Sequence, residues 1–342
     1  MHSFNASFLI GVLRVRHKKP MRRGVLIQKV CRLLVLCGVG SASVLAQPIG
    51  RSTPCPVVAS ERIVSASNVQ PATVRVPVLV MEGNDKVVTG LAQDRFILYQ
   101  DQRRQTISHF AVEDSPASIG FIIDSSRSMT RKLPAAVEAV NAFMSSANPA
   151  DEFFVVAFNS TPRLVVPMTR KPDDVRKGLS ELSADGETAL LDAVHLALSE
   201  MRLAHHRHRA MIIVSDGKDN SSQCTLHDMY GELNAQNIPM FAVNSTATSA
   251  VWPGRSSKGG LLLTEITRTT GGRLFQTTKP EDMSGISSII ATCLRSQYLL
   301  EYTPTGLDGS RRFHRIEVHL TSTDATTRLR AFWPAGYYST GK

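Results

Sequence analysis

The stretch Gly120-Phe121-Ile122-Ile123-Asp124-Ser125-Ser126-Arg127-Ser128-Met129 decides the fold. Apolar residues run up to the carboxylate of Asp124, and hydroxyls follow at alternate positions, Ser126 and Ser128. A short apolar run bounded by polar turn residues predicts a buried strand of a parallel sheet. Side chains at the carboxyl end of such a strand face the crevice in which open α/β sheets bind ligands. One hard anionic oxygen and two neutral ones suit a small hard cation such as Mg²⁺. Asp and Ser are also ordinary helix caps, so the triplet needs support from elsewhere in the chain.

Two later segments supply it. In Asp185-Gly186-Glu187-Thr188-Ala189-Leu190-Leu191-Asp192-Ala193, Gly186 permits a tight loop. Thr188 stands where that loop enters a helix, either as its N-cap or with its hydroxyl turned to the crevice. Ile212-Ile213-Val214-Ser215-Asp216-Gly217-Lys218-Asp219-Asn220 is another apolar strand ending in Asp-Gly, a pair also common in plain turns. The three segments carry oxygen donors in the order Asp-x-Ser-x-Ser, Thr, Asp-Gly, each at a strand end or loop of one predicted sheet.

Around these segments the pattern alternates strand and helix from Ser118, the signature of a doubly wound, mostly parallel α/β sheet. Strands are predicted at 119–123, 153–158, 164–166 (a short edge strand), 210–214, 239–244 and 273–275. Helices are predicted at 134–147, 173–182, 188–203, 226–237, 261–270 and 281–295. Both flanks read as β structure: 73–80, 96–99 and 105–110 before the α/β region, and 298–302, 312–320 and 327–333 after it. Pro77 would push the first of these toward a sheet edge. A three-strand meander is too small to stand alone, so the flanks are predicted to pair with each other as a small β-sandwich. The expected organisation is a leader at 1–46, a linker at 47–70, an N-terminal β segment at 71–116, the α/β domain at 117–296 and a C-terminal β segment at 297–342.

The formal net charge of +10 over 342 residues suggests a nucleic-acid binder until it is located. Residues 1–46 hold eight Lys or Arg and no Asp or Glu; removing those eight from 39 leaves 31 basic residues against 29 acidic. The remainder is nearly neutral, which removes the main support for a nucleic-acid partner. Met21-Arg22-Arg23 through Arg32, then the uncharged run Leu33–Ala46 ending Val44-Leu45-Ala46, reads as a secretory signal cleaved after Ala46, with Met21 as the expected start. The run is short for a bilayer span. The chain is therefore expected to be exported (periplasmic, cell-surface or extracellular), without a membrane span in the mature chain. Cys55, Cys224 and Cys293 remain after cleavage, and Cys224–Cys293 is the preferred disulfide. The cluster His205, His206 and His208, with its neighbouring arginines, is read as a solvated, cationic close to the 188–203 helix. Trp252, in a Gly/Ser-rich loop, is either a recognition tip or a tucked anchor.

The three-segment order resembles the metal-ion-dependent adhesion site of the von Willebrand factor A family, over roughly residues 117–295. That resemblance implies a Rossmann-like fold and a metal held by Asp124, Ser126, Ser128, Thr188 and Asp216. It implies Mg²⁺ as cofactor, with Mn²⁺ or Ca²⁺ as substitutes, and an open coordination position for a carboxylate of a partner protein. Arg127 stands where many A domains have Gly. With Glu187 and Lys218 it forms the expected partner-binding rim, although Lys218 by itself reads rather as a loop residue. The flanking segments Val88-Thr89-Gly90-Leu91, Asp94-Arg95-Phe96, Gln105 to Phe110 and Gly336-Tyr337-Tyr338 resemble the vWA-related domain family frequent in acidobacteria, where export is usual.

An enzyme is not expected. No Gly-x-Ser-x-Gly elbow surrounds Ser126 and no P-loop occurs. A metal-dependent hydrolase would call for more carboxylates than the three segments bring. The rival readings are a structural module of a cell-envelope assembly without metal-dependent binding and, behind it, that hydrolase.

Overall fold

The computed structural model describes residues 73–83, 85–245, 258–306, 310–321 and 329–339. The predicted leader, the linker and Trp252 lie outside these residues.

In chain order the strands before the helices are β1 (Val74–Glu82), β2 (Lys86–Val87), β3 (Phe96–Gln100), β4 (Arg103–Gln105) and β5 (His109–Val112). The α/β part follows as β6 (Ala117–Asp124), α1 (Leu133–Ser145), β7 (Glu152–Phe158), β8 (Pro162–Thr169), α2 (Pro172–Ser180), α3 (Leu190–Met201), β9 (His208–Ser215), α4 (Leu226–Gln236), β10 (Met240–Ser245), α5 (Lys258–Thr270), β11 (Leu274–Thr277) and α6 (Met283–Arg295). The tail is β12 (Tyr298–Tyr302), β13 (Phe313–Leu320), β14 (Leu329–Phe332) and β15 (Gly336–Tyr338).

The central sheet has the order β11-β10-β9-β6-β7-β8 and is parallel except for the edge strand β8. β6 is buried along its whole length. Its alternate residues serve two cores: Ile119, Phe121 and Ile123 pack with α1 and α6, whereas Ile122 packs with α3 and its neighbours. Helices on both faces explain why the strand reads as a continuous apolar run. From β6 the chain moves outward to β7 and β8, then returns to the other side of β6 for β9, β10 and β11. The strand order thus reverses beside β6, and ligands of open α/β sheets bind at such a reversal, outside the carboxyl ends.

The flanks form two antiparallel sheets, β14-β1-β12-β5 with β2 against β1, and β15-β13-β3-β4. They close over one apolar core that includes Val76, Val78, Phe96, Tyr298, Leu300 and Ile316. β1 as a whole is not the edge strand that Pro77 suggested: β12 along Val74–Val78 and β2 at Met81–Glu82 lie on one side of it, and β14 lies on the other from Leu79 onward, so only the half that holds Pro77 has an open side. Proline is tolerated because the register with β14 begins only at Leu79, beyond Pro77.

Three further expectations need correction. α3 stops at Met201, short of the histidine cluster. His208 opens β9 and is buried rather than solvated, whereas His205 is exposed as expected but also bonds to Glu152. Cys293 is a free, buried cysteine whose thiol is pushed up to about 12 by burial. Cys224 is disulfide-bonded, with its partner outside the described residues, so the Cys224–Cys293 pair does not form.

Candidate metal centre

The crevice is built by three loops that bond to one another. After Asp124 the chain turns through a single 3-10 turn, Arg127–Met129. This first loop is tied to the second by Arg127 N–H to the Gly186 carbonyl (3.1 Å) and Asp185 N–H to the Ser125 carbonyl (2.9 Å). Gly186 has φ +76° and lies where a Cβ would come within 2.7 Å of Ser160 Oγ, so the turn requires glycine. The second loop is tied to the third: Asn220 and Ser221 N–H both donate to the Thr188 carbonyl at 3.0 Å, and Thr188 N–H donates to Asn220 Oδ1 at 2.9 Å. Thr188 is not the N-cap of α3; that position is Ala189. Its hydroxyl is left for other work.

The acidic pair is asymmetric. Asp124 is fully buried; its Oδ1 accepts from Ser126 N–H at 2.9 Å and its Oδ2 from Ser215 Oγ at 2.6 Å. Burial raises its carboxyl above the usual range, hydrogen bonds from Ser126 and Ser215 oppose the rise, and the charge of Asp216 adds to it. Asp216 is also buried, but a hydrogen bond from Ser128 and the ammonium groups of Lys218 and Lys132 outweigh burial and hold its carboxyl below the usual range. Lys218 Nζ lies 3.2 Å and Lys132 Nζ 3.6 Å from Asp216 Oδ2.

Of the five predicted ligands, Asp124, Ser126, Thr188 and Asp216 are buried and Ser128 is half-buried, all at the carboxyl edge of β6 and β9 or in the loop between them. The donor set can be compared with a small octahedral cation. Ligand oxygens at 2.0–2.1 Å from Mg²⁺ sit about 3 Å apart along an octahedral edge. Ser126 Oγ and Ser128 Oγ are 3.1 Å apart, and Ser128 hydrogen-bonds to Asp216. Two carboxylates, three hydroxyls and that spacing fit Mg²⁺. No group of three or more His, Cys, Asp or Glu that could hold a metal occurs among the described residues.

The predicted rim is present but partnered. Exposed Arg127 reaches Asp185 Oδ1 at 3.3 Å, and exposed Glu187 accepts from Asn220 Nδ2 at 2.6 Å. Lys218 is an exposed loop residue whose ammonium leans on Asp216. Sequence reasoning did not assign Ser215, Lys132 or Asn244. Ser215 had a signal, a hydroxyl closing an apolar strand beside Asp216. Asn244 is the register neighbour of Ser215 on β10, and its buried amide has no hydrogen-bond partner. Lys132 had no signal, because its approach to Asp216 depends on the turn that precedes α1.

The family model described as the von Willebrand factor type A domain matches residues 119–218. No curated protein matches the chain. Among solved structures, a von Willebrand factor type A protein from Catenulispora acidiphila is 16% identical over 80% of this chain and 75% of that one, with TM-score 0.46. The conserved hypothetical protein BatB from Bacteroides thetaiotaomicron is 16% identical over 53% of this chain and 100% of that one, with TM-score 0.40. The PilB minor pilin from Streptococcus sanguinis is 10% identical over 56% of this chain and 63% of that one, also with TM-score 0.40. These likenesses say nothing about ligand or partner. The matched segment runs from β6 to the third loop of the crevice, and that segment is similar to a von Willebrand factor type A domain.

Proposed function

We propose that this chain is an exported binding module that engages a partner protein through a Mg²⁺-bridged acidic residue of that partner. The observation that carries the reading is the placement of Asp124, Ser126, Ser128 and Asp216 at the carboxyl edge of β6 and β9, with the Ser126 and Ser128 hydroxyl oxygens 3.1 Å apart and Thr188 in the adjoining loop. Asp124 and Asp216 would supply charge and the three hydroxyls neutral ligation. A bound divalent cation would offer a partner carboxylate a Lewis-acidic coordination position. Arg127, Glu187 and Lys218 would frame that position. Binding rather than catalysis is favoured because Ser126 Oγ has Ser128 Oγ, not an imidazole, at hydrogen-bond distance, which is no nucleophile–base pair. Export is supported by the leader-like start and by the disulfide at Cys224, a bond that persists in oxidising compartments.

One observation favours a second reading, a structural module that works without metal. Lys132 and Lys218 already place two positive charges against Asp216 and can offset it unaided. Calorimetric titration of the purified protein with Mg²⁺ and Mn²⁺, beside Asp124→Ala, separates the two. Saturable binding by the wild type that the variant loses supports the metal-bridged module. Absence of binding at millimolar metal, with or without added acetate to complete the coordination, supports the structural module.

A further inference from the structure

A second polar site lies at the opposite, amino end of the central sheet. A cavity of about 290 Å³ opens where the start of β9, the turn from α4 to β10, and strands β1 and β12 meet. Pro77, Ile238, Pro239 and Leu299 give it an apolar wall, and Glu113, Arg207, His208 and Asn237 give it a polar one.

The polar wall is unsatisfied in a specific way. His208 is 6% exposed, and its Nδ1 lies 3.2 Å from the Ser115 carbonyl. A carbonyl only accepts, so Nδ1 carries the proton. Burial holds the ring below its ordinary pKa, so it is neutral and Nε2 is a lone pair, and that atom has no partner. Asn237 is left-handed (φ 52°), and its Nδ2 donates to the Arg75 carbonyl at 3.3 Å. Its Oδ1 is then a second buried acceptor without a partner. Buried polar atoms are rarely left so. Glu113 adds a carboxylate beside them: its Oε1 accepts from Ser115 Oγ and its Oε2 lies 3.4 Å from the Arg75 guanidinium, and although burial opposes ionisation, those partners hold its carboxyl below the usual range. Arg207 is exposed and makes no ion pair with a described residue. One wall therefore asks for N–H donors and positive charge, another for an anion, and the remainder for a small apolar group. The volume is at the lower limit for ligand pockets, about 300 Å³.

We propose that this cavity binds a free α-amino acid with a small apolar side chain. The ammonium group meets Glu113, His208 Nε2 and Asn237 Oδ1, the carboxylate meets Arg207, and the side chain lies against Pro77, Ile238 and Leu299. The site is separate from the metal crevice and does not depend on it.

The test titrates the purified full chain with L-alanine, L-valine and L-leucine, by calorimetry and by thermal shift. N-acetyl-L-valine, which lacks the ammonium, and L-valinamide, which lacks the carboxylate, serve as controls. The expected result is saturable binding with Kd of about 1 mM or tighter for at least one amino acid, with both controls weaker by about tenfold or more. Asn237→Gly keeps the left-handed backbone and removes the acceptor; it should weaken binding by about tenfold. Arg207→Glu, at an exposed position, should weaken valine and favour valinamide. The proposal is overturned if no amino acid binds the folded wild type at millimolar concentration. It is equally overturned if both variants, shown folded by circular dichroism, bind unchanged, or if the controls bind as well as valine. Mg²⁺ titration is unaffected in every case, so the two sites stand or fall separately.

Discussion

A carboxylate that is 1% exposed and still charged needs donors, and Glu152 has three. Its Oε1 accepts from Ser118 Oγ at 2.6 Å and from His205 N–H at 2.7 Å, and its Oε2 lies 2.8 Å from His205 Nδ1. Burial alone would raise its pKa; the hydrogen bonds from Ser118 and His205 and the imidazole charge outweigh that and bring it to about 2. A carboxyl whose folded pKa is depressed contributes stability that is fully present above its unfolded value and is lost as pH falls toward the folded one. For Glu152 that window runs from 4.5 down to about 2. Glu152→Gln should lower stability at neutral pH, because an uncharged amide accepts these bonds more weakly and brings N–H groups of its own against the donors. It should also flatten the loss of stability between pH 4.5 and 2. Urea unfolding of both proteins across that range checks the point, and parallel wild-type and variant curves would remove Glu152 as the source. The same chemistry explains why Asp124 goes the other way: its burial is offset less completely, and Asp216 stands nearby.

Among the elements, β6 carries the most consequence, because it forms the sheet interior and aims the first loop. Gly120 at its centre faces the ring of Phe154 on β7: a Cβ there would lie 2.3 Å from Phe154 Cζ, and that ring is wholly buried. Gly120→Ala should therefore destabilise the protein by about 1–3 kcal/mol, the usual range for overpacking a filled core. An unchanged thermal midpoint would show that the ring can move aside. The sequence made β6, β7, β9 and β10 legible because helices cover both faces, which turns each strand into an uninterrupted apolar run. It also brought Asp124, Ser126, Ser128, Thr188 and Asp216 into view, because polar groups that abruptly end such runs stand out. What stayed hidden depends on non-local geometry. Pro77 sits in the half of β1 with an open side because β14 takes up the register only from Leu79. His208 is buried because the chain after α3 doubles back under Ser115. Lys132 meets Asp216 only after the 3-10 turn has folded. Cysteine pairing had no local signal at all.

At the scale of the molecule, β1 belongs to two cores at once. Val74, Val76, Val78 and Val80 fill the β-sandwich, while Leu79 and Met81 pack into the layer of α1 and α6 on the central sheet. Separating the two parts would expose one side of this strand to water, and apolar burial on that scale costs several kcal/mol at about 25 cal/mol per Å². A second seam lies at the end of α5. Ala335 N–H donates to the Thr269 carbonyl at 3.0 Å, Thr270 bridges Pro334, and Gly271 (φ +78°) lets the two backbones touch. A Cβ on Gly271 would be 2.3 Å from Pro334 N. Alanine there would carry a left-handed penalty of about 1–2 kcal/mol in addition to a clash with backbone that no rotamer relieves. With two seams made of shared backbone and shared core, the sandwich and the α/β part should unfold together. In equilibrium urea unfolding, tryptophan fluorescence and far-UV circular dichroism should give one coincident transition. Gly271→Ala should move that transition to lower urea without splitting it, since the strain is imposed on a junction that both parts need. Two separated transitions in the wild type would mean that each core holds alone and that β1 does not couple them. A split confined to the variant would locate the coupling at the Gly271–Pro334 contact instead.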